Sequence, residues 1–468
     1  MMIVTMNAWN PDLTDTHGPR YRAIADALSD DLKSGRLQPG ARLPTHRELA
    51  RTLGVTVGTV SRAYAEAERR GLVQGEVGRG TFIRGGEEAA ASFFARAERG
   101  VIDLSQSIPA VAASEQEHQL LSQAFRSLGR HGDLAELTGF PPPAGARRHR
   151  ESGARCLAGL GLDVSAARVL VTAGGQHAML VTLANLTRPG DVVLTEQFTY
   201  PGMKGLANLL NLRLKGLPMD ESGLLPAAFE AACKEEEVRA LYVIATLQNP
   251  TSAVLSEERR REIARIAQEH KVAILEDDVY GFMDEEHPTP ISALAPELGY
   301  FFTSTAKVIA PGLRVGYLAA PEEMVDRLAA GIWATTGMAA PPMAEVVTSW
   351  VDSGELQRFV GWRRDTAKVR NELARSILPA DGMLGHPFGF HVWLQLPDPW
   401  RSEDFVVHAH RRGVAVTSAE VFVVGRQDAP HAVRVSLMPV ADPGRLEGAL
   451  RILAEILEEP PEPGLVVV

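Results

Sequence analysis

The sequence predicts a chain of two fold classes: a small α+β module of three helices and a hairpin, then a larger α/β body on a mostly parallel sheet. Helical spacing of apolar residues before a glycine-interrupted segment predicts the module, and apolar runs that alternate with helix-like segments predict the body. Residues 17–86 contain 12 Lys and Arg against 7 Asp and Glu, a net charge of +5, and since the chain carries −10 the remainder carries −15. A basic module on an acidic body is therefore expected.

The composition excludes several other classes of protein. With 468 residues, 45% apolar and 23% charged, the chain is ordinary for a globular protein of two to four domains. It has no apolar run of about 18 residues, so neither a membrane span nor a membrane partner is expected. The first ten residues lack the pattern of a secretory signal. Cys156 and Cys233 have no metal-like spacing, which predicts free thiols in a reducing compartment and a cytoplasmic protein without a metal site.

Three helices are predicted in the module. The first carries apolar residues at helical spacing from Tyr21 to Leu32. The second begins with the capping-box pattern Thr45-His46-Arg47-Glu48 and ends near Leu53. The third runs from about Thr56 to residue 71. Two helices joined by a turn of three to four residues are typical of a helix-turn-helix, although such a pair can also serve packing alone. Glycines at 75, 78 and 80 predict a hairpin, or wing, over residues 72–83.

These motifs resemble the DNA-binding domain of the GntR family over about residues 18–84, chiefly through segments 43–50, 53–55, 59–64 and 78–83. The resemblance implies a winged helix-turn-helix at residues 17–84 that binds double-stranded operator DNA. It implies that six side chains face the DNA: Thr45, Arg47, Thr56, Thr59, Arg62 and, from the wing, Arg79. Hydroxyl and guanidinium groups suit contacts to phosphates and base edges. The family often has an arginine where this chain has Val57-Gly58.

A linker is predicted at residues 85–100, which are rich in glycine, alanine and glutamate and partly helix-prone. Its shortness would restrain the module relative to the body, unless Phe93 and Phe94 dock onto the body instead. In the body, apolar runs at 169–171, 192–194, 241–244, 272–275 and 300–302 are spaced for strands. Further strands are expected at 390–396, 414–417 and 433–437, in a smaller α/β domain.

One lysine in the body lies between two groups that bind phosphate. Lys307 comes three residues after Ser304 and seven before Arg314, between an apolar run and an Ala-Pro-Gly turn. A primary amine in this setting can hold pyridoxal phosphate as a Schiff base, whereas a surface lysine would be solvated. The segment 301–317 resembles the cofactor-lysine motif of fold-type I aminotransferases. That resemblance implies a large cofactor-binding domain at 101–345 and a small α/β domain at 346–460.

The resemblance also assigns the groups around the cofactor ring. A carboxylate at a strand end would keep the ring nitrogen protonated, and a tyrosine and an asparagine would bond the ring hydroxyl. A strand-to-helix turn with a serine and an arginine would hold the phosphate, and an aromatic residue would stack on the ring. The expected cofactor-binding residues are Gly175, Gln176, Tyr200, Asn249, Asp277, Tyr280, Ser304, Lys307 and Arg314, with Lys307 as the catalytic residue. Taken alone, Tyr200 also fits a core tyrosine.

Arg434 lies between two valines on a predicted strand and resembles the arginine that grips the α-carboxylate of an amino acid, although a strand arginine can also form a surface ion pair. Two positions depart from the family pattern. Phe140 stands where a tyrosine usually reaches the neighbouring subunit's phosphate, and Ser105-Gln106-Ser107-Ile108-Pro109 lacks the usual glycine of the first substrate-pocket segment. Both departures weaken the expectation of catalytic turnover more than that of cofactor binding.

The two resemblances together are those of the MocR family of transcriptional regulators. They imply a homodimeric, pyridoxal-phosphate-dependent DNA-binding protein that senses a small amine or amino acid, which would displace Lys307 to form an external aldimine. The alternative is an active aminotransferase with an accessory DNA-binding module, and a third reading keeps the body only as a dimerisation scaffold. Whether the body turns over substrate is left open by the sequence.

Overall fold

The computed structural model of the chain describes residues 9–11, 19–33, 36–37, 41–69, 72–76, 80–83, 100–111, 114–131, 133–425 and 428–459. The chain divides into two compact units, Met1–Ala95 and Arg96–Val468, which are treated separately below. Two of the predicted features lie outside the described residues: the linker, except for Gly100, and Arg79 at the tip of the hairpin.

The first unit has the helices and hairpin expected of a winged helix-turn-helix. Its elements are α1 (Arg20–Lys33), α2 (His46–Leu53), α3 (Val57–Arg69), β1 (Val73–Glu76) and β2 (Gly80–Ile83). The two strands are antiparallel, with Val73 opposite Ile83. The apolar faces of the helices meet in one core that includes Leu28, Leu49 and Val60. The core is built because each helix repeats its apolar residues at helical spacing.

The turn between α2 and α3 is set by two local signals. The Glu48 N–H donates to Thr45 Oγ1 at 3.3 Å, and the Thr45 N–H donates to Glu48 Oε2 at 2.8 Å, so the predicted capping box opens α2. Gly54 ends that helix in the left-handed conformation, with φ 63°, which glycine adopts without a Cβ clash. The next helix can therefore begin at Val57, only three residues later.

The second unit is built around a seven-stranded sheet in the order β4-β12-β11-β10-β9-β5-β6. Neighbouring residues of its strands enter different cores: Leu170 and Phe302 pack on one face, and Val171 and Phe301 on the other. A sheet buried on both faces explains why its strands appear in the sequence as continuous apolar runs. The strands of this sheet are β4 (Val169–Thr172), β5 (Val192–Glu196), β6 (Arg213–Leu217), β9 (Val238–Val243), β10 (Ala273–Asp277), β11 (Gly299–Ser304) and β12 (Gly316–Ala319).

Shorter strands and the helices complete this unit. A four-stranded antiparallel sheet in the order β13-β14-β17-β16 forms the core of the C-terminal part. The remaining strands are β3 (Ile102–Asp103), β7 (Met219–Asp220), β8 (Gly223–Leu224), β13 (Met383–Gly385), β14 (His391–Gln395), β15 (Val414–Ala415), β16 (Thr417–Ser418) and β17 (Ala432–Ser436). The helices are α4 (Glu115–His131), α5 (Leu134–Thr138), α6 (Arg147–Ala158), α7 (Gly175–Leu186), α8 (Pro201–Leu209), α9 (Pro226–Glu235), α10 (Glu257–His270), α11 (Ile291–Leu294), α12 (Val325–Thr335), α13 (Pro341–Ser353), α14 (Glu355–Ile377), α15 (Ser402–Arg411) and α16 (Pro443–Glu458).

The structure differs from the predicted division of the body in two places. The segment that opens the predicted large domain pairs with the C-terminal part instead, since Ile102–Asp103 runs parallel to Val414–Ala415 and Leu104 packs into the C-terminal core. The predicted boundary at residue 346 falls inside α13, whose Val346, Val347 and Trp350 pack against the large sheet's core. Pro341 and Gly354 delimit that helix, and the chain passes to the smaller sheet only through α14.

Two strands of the large sheet were not predicted. β6 lies at the sheet's edge, where only its last residue, Leu217, is buried, so it lacks a continuous apolar run. β12 follows the lysine segment after a short turn and runs antiparallel to both β11 and β4. The mostly parallel sheet that the sequence predicts is therefore a mixed sheet with one antiparallel strand.

Candidate functional site

The predicted site residues of the body follow the carboxyl ends of parallel strands. Because those ends meet at one edge of an open sheet, the segments after β4, β5, β9, β10 and β11 come together there. These segments carry residues 173–176, Tyr200, Asn249, Tyr280 and Lys307, and the strands β10 and β11 themselves end at Asp277 and Ser304.

Lys307 lies just beyond β11 and is partly buried. Its amine Nζ donates a hydrogen bond to the backbone carbonyl of Ser107 and lies 5.0 Å from the centroid of the Tyr280 ring. Within the described part of the chain it forms no ion pair with a carboxylate. The amine is therefore directed into the site rather than engaged in a surface salt bridge.

Asp277 is a buried carboxylate at the end of β10. Its Oδ2 accepts a hydrogen bond from the Tyr242 hydroxyl at 2.6 Å, and its Oδ1 accepts one from the Val279 N–H at 3.2 Å. Burial raises the pKa of Asp277 to about 6, while the hydrogen bond from Tyr242, that from Val279 and the charge of Lys307 each lower it. A cation placed beside this carboxylate would favour its ionised form.

The turn from β4 into α7 forms a cradle for an anion. Gly174 has φ 88° and no side chain, so the first N–H groups of α7 are left open at the helix start. The Arg314 guanidinium donates from Nη2 to the Ala173 carbonyl at 2.9 Å and lies so close that a Cβ on Gly174 would be 2.9 Å from Nη2. A Cβ on Gly175 would be 3.9 Å from that of Ser304. Helix N–H groups, an arginine and a serine hydroxyl suit a phosphate group.

Tyr200 and Gln176 lie next to this cradle. A Cβ on Gly202 would be 2.2 Å from Tyr200 Cε1 and 2.6 Å from Gln176 Oε1, so glycine is required for both side chains to occupy these positions. Gln176 donates from Nε2 to the Gly202 carbonyl at 3.3 Å. Its Oε1 is buried and, among the described residues, has no hydrogen-bond partner. Burial, and next the Asp277 charge, raise the pKa of Tyr200 to about 12.

Arg434 is completely buried on β17, with 0% of its surface exposed. Its Nη1 donates to Asn249 Oδ1 at 2.8 Å, its Nη2 donates to the Ser105 carbonyl, and the guanidinium lies 4.8 Å from the Phe422 ring centroid. No carboxylate of the described ranges pairs with it, and its buried Nε has no partner there. Burial lowers the pKa of Arg434 to about 10. The charge of Asp103 acts against this shift but forms no ion pair with Arg434. A buried cation without a paired carboxylate is costly, so the position suits an anionic ligand.

A chain of hydrogen bonds closes the site behind Lys307. The Tyr280 hydroxyl donates to Ser107 Oγ at 2.9 Å, and Ser107 Oγ lies 3.1 Å from His391 Nδ1. His391 Nε2 lies 3.4 Å from the Gln248 carbonyl, which can accept only, so Nε2 carries the proton and Nδ1 accepts from Ser107. Burial, followed by the Arg434 charge, holds the pKa of His391 well below its usual range, so the ring is neutral.

Sequence reasoning missed Tyr242 and His391. Tyr242 was seen only as part of an apolar run, and a polar hydroxyl within such a run was the available signal. His391 opens β14 directly after Phe390, and this setting carries no local indication of function. Their partners Asp277 and Ser107 are far along the chain, so only the folded structure brings each pair together.

In the first unit, the described DNA-facing candidates lie at the N-cap of α2, on α2 and α3, and in the turn between these helices. Arg47, Thr56 and Arg62 are exposed, and Thr59 is partly buried. Thr56 Oγ1 lies 2.9 Å from Thr59 Oγ1 and accepts from the Thr59 N–H at 3.1 Å, so these hydroxyls also cap α3. Thr45 is exposed as well, but its hydroxyl accepts the α2 capping bond described above.

Two features are absent from the described residues. None of their helices is long and apolar enough to cross a membrane. Nor do they contain a group of three or more His, Cys, Asp or Glu side chains placed to hold a metal ion, and Cys156 and Cys233 are free.

The fold and the site define a class: a winged helix-turn-helix reader joined to a fold-type I aminotransferase-like body. The family model "Aminotransferase class I and II" matches residues 99–453, and the model "Bacterial regulatory proteins, gntR family" matches residues 20–83. The chain belongs to the aminotransferase class I and II family, in the arrangement with a GntR domain that characterises MocR-family regulators.

Two relatives match most of the chain. It is similar to the uncharacterised HTH-type transcriptional regulator YdeF of Bacillus subtilis, with 28% identity over 97% of both chains. It is 27% identical to the uncharacterised HTH-type transcriptional regulator YjiR of Escherichia coli, over 81% of this chain and 86% of YjiR. Among solved structures it resembles the kynurenine aminotransferase of Pyrococcus horikoshii, with a TM-score of 0.71, 21% identity and coverage of 79% of this chain and 96% of that one.

These findings make the chain a DNA-binding transcriptional regulator with an aminotransferase-like body, and its family implies pyridoxal 5'-phosphate as the cofactor. The site has the groups that this cofactor requires. A glycine turn with an adjacent arginine suits the phosphate, a buried carboxylate suits the ring nitrogen, and an amine without a carboxylate partner in the described chain suits the aldehyde.

Proposed function

We propose that this regulator senses a small amine or amino acid at the cofactor site of its body and alters operator binding in response. The reader would be residues 17–84, joined by the linker 85–100 to the aminotransferase-like body. Thr45, Arg47, Thr56, Thr59, Arg62 and Arg79 would contact the DNA. The proposal places the protein in the cytoplasm, where a chromosomal operator is accessible.

Pyridoxal phosphate, when bound, supplies an aldehyde that condenses reversibly with primary amines and a ring that withdraws electrons. Lys307 would hold that aldehyde through Nζ. Asp277 would keep the ring nitrogen protonated, with Tyr242 orienting its carboxylate. Tyr280 and Asn249 would bond the ring hydroxyl, and Tyr200 would cover the ring face. The phosphate would lie against Gly175, Gln176, Ser304 and Arg314.

The observation that carries the proposal is the state of Arg434. It is fully buried and has only neutral acceptors and an aromatic ring beside it, with no carboxylate partner in the described chain. A guanidinium fork matches a carboxylate with two parallel hydrogen bonds. An effector with both an amine and a carboxylate would therefore satisfy Lys307 and Arg434 together, which favours an amino acid over a simple amine.

The segment 105–107 offers a route from the effector to a change in conformation. Its carbonyls accept hydrogen bonds from both cations: Ser105 from Arg434 and Ser107 from Lys307. An effector carboxylate and the cofactor would compete for these donors and release the segment. The same stretch of chain is tied to the C-terminal part, since the Leu104 N–H donates to the Ala415 carbonyl at 2.8 Å. Its release would therefore alter how the small domain closes. The effector can shift this closing equilibrium only by the difference between its affinities for the two conformations.

A homodimer is part of the proposal because it would give two readers for two half-sites. Phe140 and Trp333 support it. The two residues are 65% and 57% exposed, and their rings pack edge to face with centroids 5.2 Å apart, so they form an apolar pair open to solvent. Aromatic residues are enriched in interfaces between subunits.

A second candidate, an active aminotransferase, is favoured by one observation: the lysine, the buried aspartate and the arginine lie in one site. Steady turnover of an amino donor and a keto acid by a chain that binds no specific DNA would support it. The departure at Phe140, which cannot donate a hydrogen bond, favours the regulator.

The experiment is a titration of the purified holoprotein with amines and amino acids, read both as spectral shifts of the bound cofactor and as operator affinity. We expect some amino acids to change both signals with the same midpoint. Lys307→Ala should abolish both responses while leaving effector-independent operator binding intact. Effector-dependent operator binding that persists in Lys307→Ala would refute the proposed mechanism.

A further inference from the structure

The start of α3 combines two features that the fold of the reader does not explain. By spacing, Val57 belongs to the apolar stripe that Val60 and Tyr64 bury in the core. Val60 is completely buried, whereas Val57 is 45% exposed. The stripe thus continues past the core to the N-terminal end of the helix, which is the end that recognition helices direct to base edges.

The second feature is the glycine that follows. Gly58 lies inside α3, where glycine is less favourable than alanine, and its backbone is not left-handed. A Cβ built on it would approach only Thr56 Oγ1, at 3.9 Å, which is an ordinary contact. Packing within the described chain therefore gives no reason for a glycine. A residue without a side chain is also expected where an outside molecule approaches the backbone closely.

The neighbouring polar groups have partners within the helix. Thr56 Oγ1 and Thr59 Oγ1 lie 2.9 Å apart, and Thr56 also caps the Thr59 N–H. Arg62 donates from Nε to the Gly58 carbonyl at 3.4 Å. Beside these groups, the front of the helix presents the branched apolar side chain of Val57 and the bare backbone of Gly58.

We propose that Val57 and Gly58 read a thymine in each operator half-site through its 5-methyl group. In the major groove thymine is distinguished by this methyl, which apolar side chains recognise by contact. The methyl would pack on the Val57 side chain, and the absence of a Cβ at Gly58 would let the helix approach the base pair. Val57 and Gly58 would thus form a specificity-determining pair that acts independently of the cofactor site.

The test uses the full chain and duplexes selected from a random pool. We expect one thymine per half-site whose replacement by deoxyuridine, which removes only the methyl group, weakens binding about fourfold, the value of one buried methyl. Val57→Ala should lose this difference between thymine and deoxyuridine, and Val57→Thr, which keeps a methyl branch, should retain part of it. An unchanged thymine preference in Val57→Ala would overturn the proposal.

Gly58→Ala separates a contact with DNA from a structural role. Alanine favours the helix, so amide hydrogen exchange of α3 should slow by about fivefold, while operator affinity should fall by tenfold or more because the Cβ occupies the space of the base pair. Unchanged or tighter operator binding by Gly58→Ala would contradict the inference. A wild-type chain that selected no duplex at all would overturn the DNA-binding assignment itself, a different outcome from DNA binding without methyl dependence.

Discussion

Tyr242 donates a hydrogen bond to Asp277 Oδ2 at 2.6 Å, from one strand of the large sheet to the end of its neighbour. Both groups are buried. A hydroxyl donor stabilises the ionised carboxylate more than the protonated carboxyl group. This contact thus opposes the effect of burial, which raises the pKa of Asp277 to about 6. It also leaves the carboxylate in a defined orientation at the edge of the sheet where the other site residues meet.

Tyr242→Phe removes that donor, and the pKa of Asp277 should rise further. The carboxylate would then hold a protonated ring nitrogen less well, so we expect cofactor affinity to fall about tenfold, a loss comparable to one hydrogen bond to a charged group. Fluorescence or absorbance titration of the apoprotein with pyridoxal phosphate measures it. Tyr317→Phe is the matched control, because that buried hydroxyl faces Ser152 and Thr348 instead of Asp277; equal losses in both variants would argue against a specific role.

Cofactor affinity should depend on pH through the same carboxylate. The pKa of Asp277 is raised from its ordinary value of 3.8 to about 6 in the folded chain. This group therefore stabilises the folded apoprotein relative to the unfolded chain below pH 4, and that contribution is lost as the pH rises through 6. Binding of a cationic ring has the opposite sign, since it needs the ionised form, and affinity should increase as pH rises through 6.

The control for this pH dependence is Asp277→Asn, which should remove the step near pH 6. Glu196 is a second buried carboxyl group, and burial raises its pKa to about 7. Hydrogen bonds from Ile244 and Thr195 lower this pKa, and the charge of Asp277 raises it further. A step that remained near pH 6 in Asp277→Asn would show that another group, and not Asp277, controls cofactor binding.

Gly174→Ala should impair binding of the cofactor's phosphate. The added Cβ would lie 2.9 Å from Arg314 Nη2 and displace the guanidinium from the cradle. Affinity for pyridoxal phosphate should fall tenfold or more, while that for pyridoxal, which lacks the phosphate, should change little. Gly190→Ala is the control: its φ of 94° imposes a similar backbone cost, but no atom lies within 4 Å of the new Cβ. A similar loss in both variants would mean that backbone strain alone is responsible.

Arg434→Gln should discriminate between effectors. Loss of the guanidinium fork removes two charge-assisted hydrogen bonds, so affinity for an amino-acid effector should fall about 100-fold, while simple amines without a carboxylate should bind as before. Removal of a buried cation without a counter-ion should not lower the thermal stability of the apoprotein. Spectral titration measures the first effect and thermal unfolding the second. Equal losses for amines and amino acids would exclude a carboxylate at Arg434.

Much of the fold was accessible from local patterns. The capping box at Thr45, the stop at Gly54 and the apolar runs of the large sheet act over a few residues, and the structure has helices or strands at each of them. The strand Gly316–Ala319 was missed, and with it the mixed character of the sheet, because a short apolar pattern does not reveal that a strand runs antiparallel to its neighbours. The segment Ile102–Leu104 was assigned to the wrong neighbour because its partner strand is more than 300 residues away.

By itself the sequence determined the two fold classes, the family and the chemical groups available, since helix periodicity, capping and motif spacing are properties of short segments. Only the tertiary structure decided how those groups are paired. Ser107 and Ser105 meet Lys307 and Arg434 across 200 and 329 residues, and Tyr242 meets Asp277 across 35. Such pairings depend on close packing between distant segments, which no local pattern encodes.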